Sequence, residues 1–256
     1  MSDELHPFLF IYFKSLLLGI IQGFTEFLPI SSTAHLKVLP YFFGWSDPGV
    51  SFSASIQLGS AFAIIYYFRN QISLITDSFF SIFRHRNVFK DDNTTLSIYI
   101  LVASIPIFVF GFLIKVYWPS YSDSNLRGLF SIAITSIIMA LFLALSEIYG
   151  KKKKLFADIK LFDVILLGLA QSLAVFPGVS RSGITLTSAL FSGIERKTAA
   201  RLSFLVGIPS ISISGFVEFF TLFRTLSVTD FLPVIIGIIS SFFSNWYPSY
   251  FYFWTC

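Results

Sequence analysis

Gln22 and Glu26 stand four residues apart, Pro29 follows, and Ser31, Ser32, Thr33 and His35 come directly after it. Residues i and i+4 share one face of a helix, and a proline ends such a helix. The spacing therefore brings a carboxylate, hydroxyls and an imidazole to one place, the groups that carry protons and supply attacking oxygens. A second set, Pro177, Gly178, Val179, Ser180, Arg181, Ser182, Gly183, Ile184 and Thr185, reads as the opening of another helix. Gly178 lets a phosphate approach the backbone, the first N–H groups of the helix supply donors, and the planar fork of Arg181 fits phosphate oxygens bidentately. The target is a phosphorylated group. Structural roles stand beside these: Glu26 as an interfacial carboxylate at a helix end, His35 as a hydrogen-bonded interfacial imidazole, Arg181 as a snorkelling or helix-pairing residue.

The elements that position these groups must sit in a membrane. Charged residues make up 12% of the 256, about half the roughly 25% of a soluble protein, so the polar side chains cannot cover a globular surface. Hydrophobic residues reach 55%, with 33 Phe, and the mean hydropathy is +0.76. The net charge of +4 fits basic cytoplasmic loops rather than nucleic-acid binding, which is excluded. The one cysteine, Cys256, permits neither an intramolecular disulfide nor a Cys-rich metal site. Asp3 and Glu4 stand where a basic n-region belongs, so no cleavable signal peptide is expected.

Gaps between charges locate the spans, each needing about 20 apolar residues. Between Asp47 and Arg69 lie 21 uncharged residues, between Asp92 and Lys115 lie 22, and between Arg127 and Glu147 lie 19. A fourth span covers about 202–220 and a fifth follows Asp230. Stretches 8–41 and 161–191 differ: clusters of Pro, Gly, Ser and Thr interrupt them and charges lie inside them. Polar groups at membrane depth cost about 2.5 to 3.5 kcal/mol per charge on insertion scales, which marks Glu26, His35 and Arg181 as functional candidates. Basic residues gather at Arg69, Arg84, Arg86 and Lys90 and again at Lys151, Lys152, Lys153, Lys154 and Lys160, so both segments are expected in the cytoplasm.

The interrupted stretches match each other. Gly19, Ile20, Ile21, Gln22 parallels Gly168, Leu169, Ala170, Gln171, and Pro29 to Thr33 parallels the Pro177 motif. Three crossings separate the copies, so the second enters from the opposite face. The expected fold is an all-α polytopic membrane protein in one integral membrane domain, residues 1–256. It contains an inverted-topology repeat, 1–146 and 161–256, with two re-entrant broken-helix pairs and about five transmembrane helices. The second half has one crossing fewer than the first. Its last twelve residues, from Asn245, are strongly aromatic and read as a foreign ending in place of a sixth helix, or as an aromatic interfacial belt.

The two motifs, Gln22-x-x-x-Glu26 through Pro29, Ser31, Ser32, Thr33 and His35, and Pro177 through Thr185, resemble the signatures of the bacterial undecaprenyl diphosphate phosphatase, or bacitracin-resistance, family. The similarity extends over about 2–241 and includes Gln57, Leu58, Gly59 and Leu202, Ser203, Phe204, Leu205. The resemblance implies hydrolysis of undecaprenyl diphosphate to undecaprenyl phosphate and phosphate, which recycles the lipid carrier for peptidoglycan synthesis and confers bacitracin resistance. It implies Mg²⁺ or Ca²⁺ as cofactor and a multi-pass protein of the inner membrane with its active site open to the periplasmic side. Glu26, Ser32, His35 and Arg181 would be catalytic, with Glu26 also the metal ligand, Ser32 the nucleophile, His35 an acid/base partner and Arg181 the diphosphate clamp. Gln22, Ser31, Thr33, Gly178, Ser180, Ser182 and Thr185 would bind substrate. Gln22 stands where many relatives carry a second Glu, so a two-carboxylate mechanism is not expected. The partners implied are a polyprenyl diphosphate and membrane lipids, and a homodimer is permitted.

Three other functions remain open at this point: a transporter or lipid flippase built on the same inverted repeat, a lipid phosphatase of the type that uses two catalytic histidines, and an inactive truncated remnant. Only His6, His35 and His85 are present, and none follows Arg181, which disfavours the histidine type. The charge pattern makes a direct prediction. Cysteines placed in 151–160 should resist a membrane-impermeant maleimide in intact cells and one at position 122 should react; the opposite pattern overturns the orientation.

Overall fold

The computed structural model describes residues 5–85 and 92–255, so Arg86 and Lys90 of the first basic segment lie outside the described residues. Ten α-helices follow in order: α1 (Leu5–Phe27), α2 (Ser32–Phe42), α3 (Gly49–Tyr67), α4 (Arg69–His85), α5 (Asp92–Tyr117), α6 (Leu129–Tyr149), α7 (Leu161–Ser172), α8 (Arg181–Phe191), α9 (Arg196–Thr225) and α10 (Val228–Thr255). Among the described residues the only β pairing is an isolated bridge between Lys154 and Ile194. This is the all-α polytopic membrane fold expected from composition.

Among the described residues five stretches are long and apolar enough to cross a bilayer: Phe8–Glu26, Gly49–Tyr67, Asp92–Tyr117, Leu129–Tyr149 and Arg196–Thr225. Three coincide with the charge-free gaps, Arg196–Thr225 covers the span expected at 202–220, and the fifth is α1; where a span was expected after Asp230, α10 carries a shorter apolar stretch, Phe231–Trp246. α1 runs unbroken for 23 residues because its one interior cation is accommodated. The Lys14 ammonium lies 5.0 Å from the ring centre of Phe10 and 5.2 Å from that of Trp45. The break comes where Pro29 requires it, at 28–31. α7 and α8, with 12 and 11 residues, are each too short to cross. The segment after Arg69, expected as loop, is helix α4; Phe68, Ile72, Ile75 and Phe79 recur at helical spacing and face inward, while Leu74 and Phe80 are exposed.

Two compact units divide the chain within α9, one of residues 5–67 and 211–255, the other of 68–210. In the first, α1, α3 and α10 pack through small residues. A Cβ on Gly19 would collide with Ser240, one on Gly23 with Ser244, and one on Gly59 with the backbone carbonyl of Ile238. Such close approach lets polar groups meet across helices. Ser60 and Ser241 share a hydroxyl bond of 2.9 Å, and Asn245 Nδ2 donates to the Gly23 carbonyl at 2.8 Å. Leu18, Leu36 and Ile56 fill the remaining space.

Helix α10 carries the chain into the aromatic stretch that begins at Asn245. Asn245 is fully buried, Trp246 packs edge-on to Tyr66 at 6.2 Å, and α10 continues through the change in composition to Thr255.

In the second unit α7 lies against α5 and α8, α8 also packs on α6, and α4 packs on α5. Gly168 again permits the approach, since a Cβ there would come within 2.7 Å of the Ala103 carbonyl. Overpacking such a contact costs about 1 to 3 kcal/mol. Gly59→Val should therefore lower the melting temperature in detergent by several degrees; an unchanged melting temperature would show that α3 and α10 separate at little cost.

Candidate functional site

In the first unit, Gln22 and Glu26 lie on one face of α1 as their spacing requires, and Gln22 Nε2 donates to Glu26 Oε2 at 2.8 Å. Ser32, the first residue of α2, donates its hydroxyl to the same oxygen at 2.7 Å. All three side chains are buried. A carboxylate only accepts hydrogen bonds, so the Gln22 amide nitrogen faces it and Gln22 Oε1 points away; that oxygen is buried with no hydrogen-bond partner among the described residues.

Ser31 caps α2, its hydroxyl accepting from the Ala34 N–H at 3.4 Å. Its φ of 63° lies in the left-handed region, which for a serine costs about 1 to 3 kcal/mol and is characteristic of functional sites. His35 Nδ1 lies 2.9 Å from the Ser31 carbonyl. A carbonyl cannot donate, so Nδ1 carries the proton and Nε2 is the ring atom left for proton exchange. Thr33, half-buried, takes no part in these bonds. The structure thus gathers Gln22, Glu26, Ser31, Ser32 and His35.

In the second unit, Ser180 caps α8 and accepts from the Gly183 N–H at 3.2 Å. Its hydroxyl lies 3.3 Å from that of Ser182. Arg181 opens the helix, and its Nη1 donates to the Gly207 carbonyl at 2.5 Å and to Ser210 Oγ at 3.4 Å. A Cβ on Gly207 would sit 2.7 Å from that nitrogen, so only glycine leaves the guanidinium where it is. Ser210 in turn donates to Gln171 Oε1 at 3.5 Å, and Gln171 Nε2 to the Ala103 carbonyl at 3.1 Å. Thr185 donates to the Arg181 carbonyl at 2.8 Å and is bonded to Ser203. Gly178 has φ 93°, and a Cβ there would lie 2.7 Å from the Ile132 carbonyl. Backbone conformation and contact with α6 already require a glycine at this position, whatever ligand it admits.

A profile of the bacitracin resistance protein BacA family matches residues 15–251. The chain belongs to the BacA family. An undecaprenyl-diphosphatase of Prochlorococcus marinus strain NATL1A is 79% identical over 245 residues, which cover 96% of this chain and 88% of the relative. The undecaprenyl-diphosphatase of strain MIT 9313 is 48% identical over 233 residues, 91% of this chain and 78% of the relative. That of Synechococcus sp. strain CC9902 is 48% identical over 234 residues, 91% and 82%.

Within this BacA chain, Gly207, Ser210 and Asn245 escape a motif search. Each acts on a site residue or its helix from far along the sequence. The sequence hint for Gln171 is its match to Gln22. The burial of Glu26 yields a test. Ser32→Ala removes one of its donors, which costs about 1 to 3 kcal/mol for a buried group, so the detergent melting temperature should fall. Wild-type stability in that variant would show that Glu26 does not depend on Ser32.

Proposed function

We infer that this chain hydrolyses undecaprenyl diphosphate to undecaprenyl phosphate and inorganic phosphate, returning the lipid carrier to peptidoglycan synthesis. Beside kinship with relatives named for that activity, one observation carries the chemistry: Ser32 hydrogen-bonded to the buried Glu26 carboxylate. Such a pair makes a weak hydroxyl nucleophile usable. As Ser32 Oγ forms a bond to the terminal phosphorus, its proton passes to Glu26, the bond from phosphorus to the bridging oxygen breaks, and undecaprenyl phosphate departs. Water then cleaves the phosphoserine and releases phosphate. His35, its tautomer set by the Ser31 carbonyl, exchanges protons through Nε2.

Arg181 is the phosphate clamp. Its anchorage on the Gly207 carbonyl and Ser210 fixes the guanidinium, so little conformational freedom is lost when phosphate oxygens bind. Ser180, Ser182 and Thr185 support the start of α8, where N–H groups favour anions.

The donor set around Glu26 fits Mg²⁺ or Ca²⁺. Gln22 Oε1 is a buried oxygen with no partner among the described residues, and on rotation of its amide it would join the Glu26 carboxylate and the Ser32 hydroxyl as a hard ligand. Among the described residues no three His, Cys, Asp or Glu side chains cluster, so Gln22 and Glu26 would hold the ion together with substrate oxygens. When bound, the cation neutralises charge on the diphosphate.

The inverted repeat belongs to the same proposal. α2 and α8 have 11 residues each, both start after a serine cap, and Gln22 and Gln171 are both fully buried. The basic segment at 151–160 favours an inner-membrane orientation with that segment in the cytoplasm and the active site open to the periplasm.

Purified protein should release phosphate from undecaprenyl diphosphate and lose that activity in EDTA. Arg181→Lys and Gly207→Ala should each lower turnover at least about tenfold, or about 1.4 kcal/mol of transition-state stabilisation. No phosphate release by folded wild-type protein overturns the function, and near-normal turnover in both variants overturns the clamp.

A further inference from the structure

Four consecutive lysines follow α6, and the structure uses alternate ones differently. Lys153 N and Lys154 N both donate to the Gly193 carbonyl at 2.9 Å, and Glu195 N donates to the Lys154 carbonyl at 2.9 Å, so the segment is pinned to the turn that follows α8. Lys152 turns to Glu147 at 2.8 Å and Lys154 to Asp163 at 3.0 Å. Glu147 also holds Arg196. Lys151 and Lys153 are exposed, as are Lys160 at the start of α7 and Lys197 in the first turn of α9. None of these four amines has an ion-pair partner among the described residues.

Exposed aromatic side chains adjoin this basic segment in sequence. Tyr149 is 72% exposed and Phe162 66%. Phe162 and Asp163 also border an open groove of about 530 Å³ between α6, α7 and α8, lined by Met139, Phe142, Leu166 and Phe191 and reaching Ser192, the residue before Gly193. The groove thus reaches Ser192, beside the Gly193 carbonyl that Lys153 and Lys154 bind, and Asp163, the partner of Lys154, so its end lies at the basic segment. We propose that these lysines and the groove form a binding site for an anionic phospholipid of the surrounding bilayer, its headgroup among Lys151, Lys153, Lys160 and Lys197 and an acyl chain along the groove.

Charge complementarity selects an anionic headgroup over a zwitterionic one, and aromatic residues beside lysines at helix ends are the pattern of a headgroup layer. The site is separate from the phosphate clamp. Ser180 and Arg181 begin α8, whereas the lysines gather beyond its far end, and 11 residues at 1.5 Å each place the two about 16 Å apart.

Native mass spectrometry of the full chain in detergent tests the site, with palmitoyl-oleoyl phosphatidylglycerol and phosphatidylcholine as probes. Wild type should retain phosphatidylglycerol in preference to phosphatidylcholine. Replacing Lys151, Lys153, Lys160 and Lys197 by Gln should weaken phosphatidylglycerol binding at least about tenfold, each lysine near a membrane surface being a substantial fraction of the attraction. Ser188 of α8 also lines the groove, and Ser188→Trp, which obstructs it, should weaken binding as well. The double variant Lys151→Gln with Lys153→Gln breaks no ion pair and should move binding in the same direction if the fourfold variant does not fold. Equal retention of the two lipids by wild type, or equal phosphatidylglycerol binding with and without the lysines, overturns the proposal. So does one-for-one displacement of phosphatidylglycerol by undecaprenyl diphosphate with the same lysine dependence.

Discussion

A carboxylate withdrawn from water must be met by donors, and the first unit is arranged around that demand at Glu26. One donor, Gln22, comes from a turn earlier on the same helix, which requires α1 to continue unbroken through both positions. The second, Ser32, lies beyond the break, so the chain must leave α1 at Phe27, reverse, and start α2 within hydrogen-bonding distance of the helix it has just left. The left-handed conformation of Ser31 follows from that short return. An unsatisfied ionised group away from water costs far more than one strained residue, so the strain persists.

The position of α1 matters for the same reason. Lipid tails are as apolar as leucine, so helices in a bilayer gain little by hiding apolar side chains from one another; close contact and hydrogen bonds hold them instead. Gly19 and Gly23 bring α10 against the backbone of α1, and Asn245 bonds the Gly23 carbonyl, between Gln22 and Glu26 in sequence. The same side of the helix pair therefore supplies packing and registers the carboxylate.

Much of this was legible in the sequence because membranes impose simple rules. Charge-free gaps gave three spans, and the i, i+4 spacing with a following proline gave the Gln22, Glu26 and Ser32 cluster. The misses share a cause. Counting charges treats Lys14 as a reason against a span, although Phe10 and Trp45 shelter its ammonium. It treats α4 as loop, because an amphipathic helix has charges by design. Gly207 and Ser210 hold Arg181 from 26 and 29 residues away, a distance at which single-sequence spacing carries no signal.

The two broken segments solve one problem with different residues. A helix that begins within apolar surroundings exposes its first N–H groups, and a serine hydroxyl satisfies one of them in each case, at Ala34 and at Gly183. The reversal before each helix also needs a positive φ. In the second segment Gly178 takes it two residues ahead of the cap, at no steric cost, and Ser180 stays extended. In the first, Ser31 is both cap and strained residue, and its carbonyl is thereby turned to His35 Nδ1. A glycine in place of Ser31 would relieve the strain but remove the capping oxygen. A glycine one or two residues earlier would displace the reversal and with it the Ser31 carbonyl. The strain in the first segment is thus the cost of combining cap, reversal and histidine orientation in one residue. The second segment orients an arginine through its side chain alone and needs no such combination.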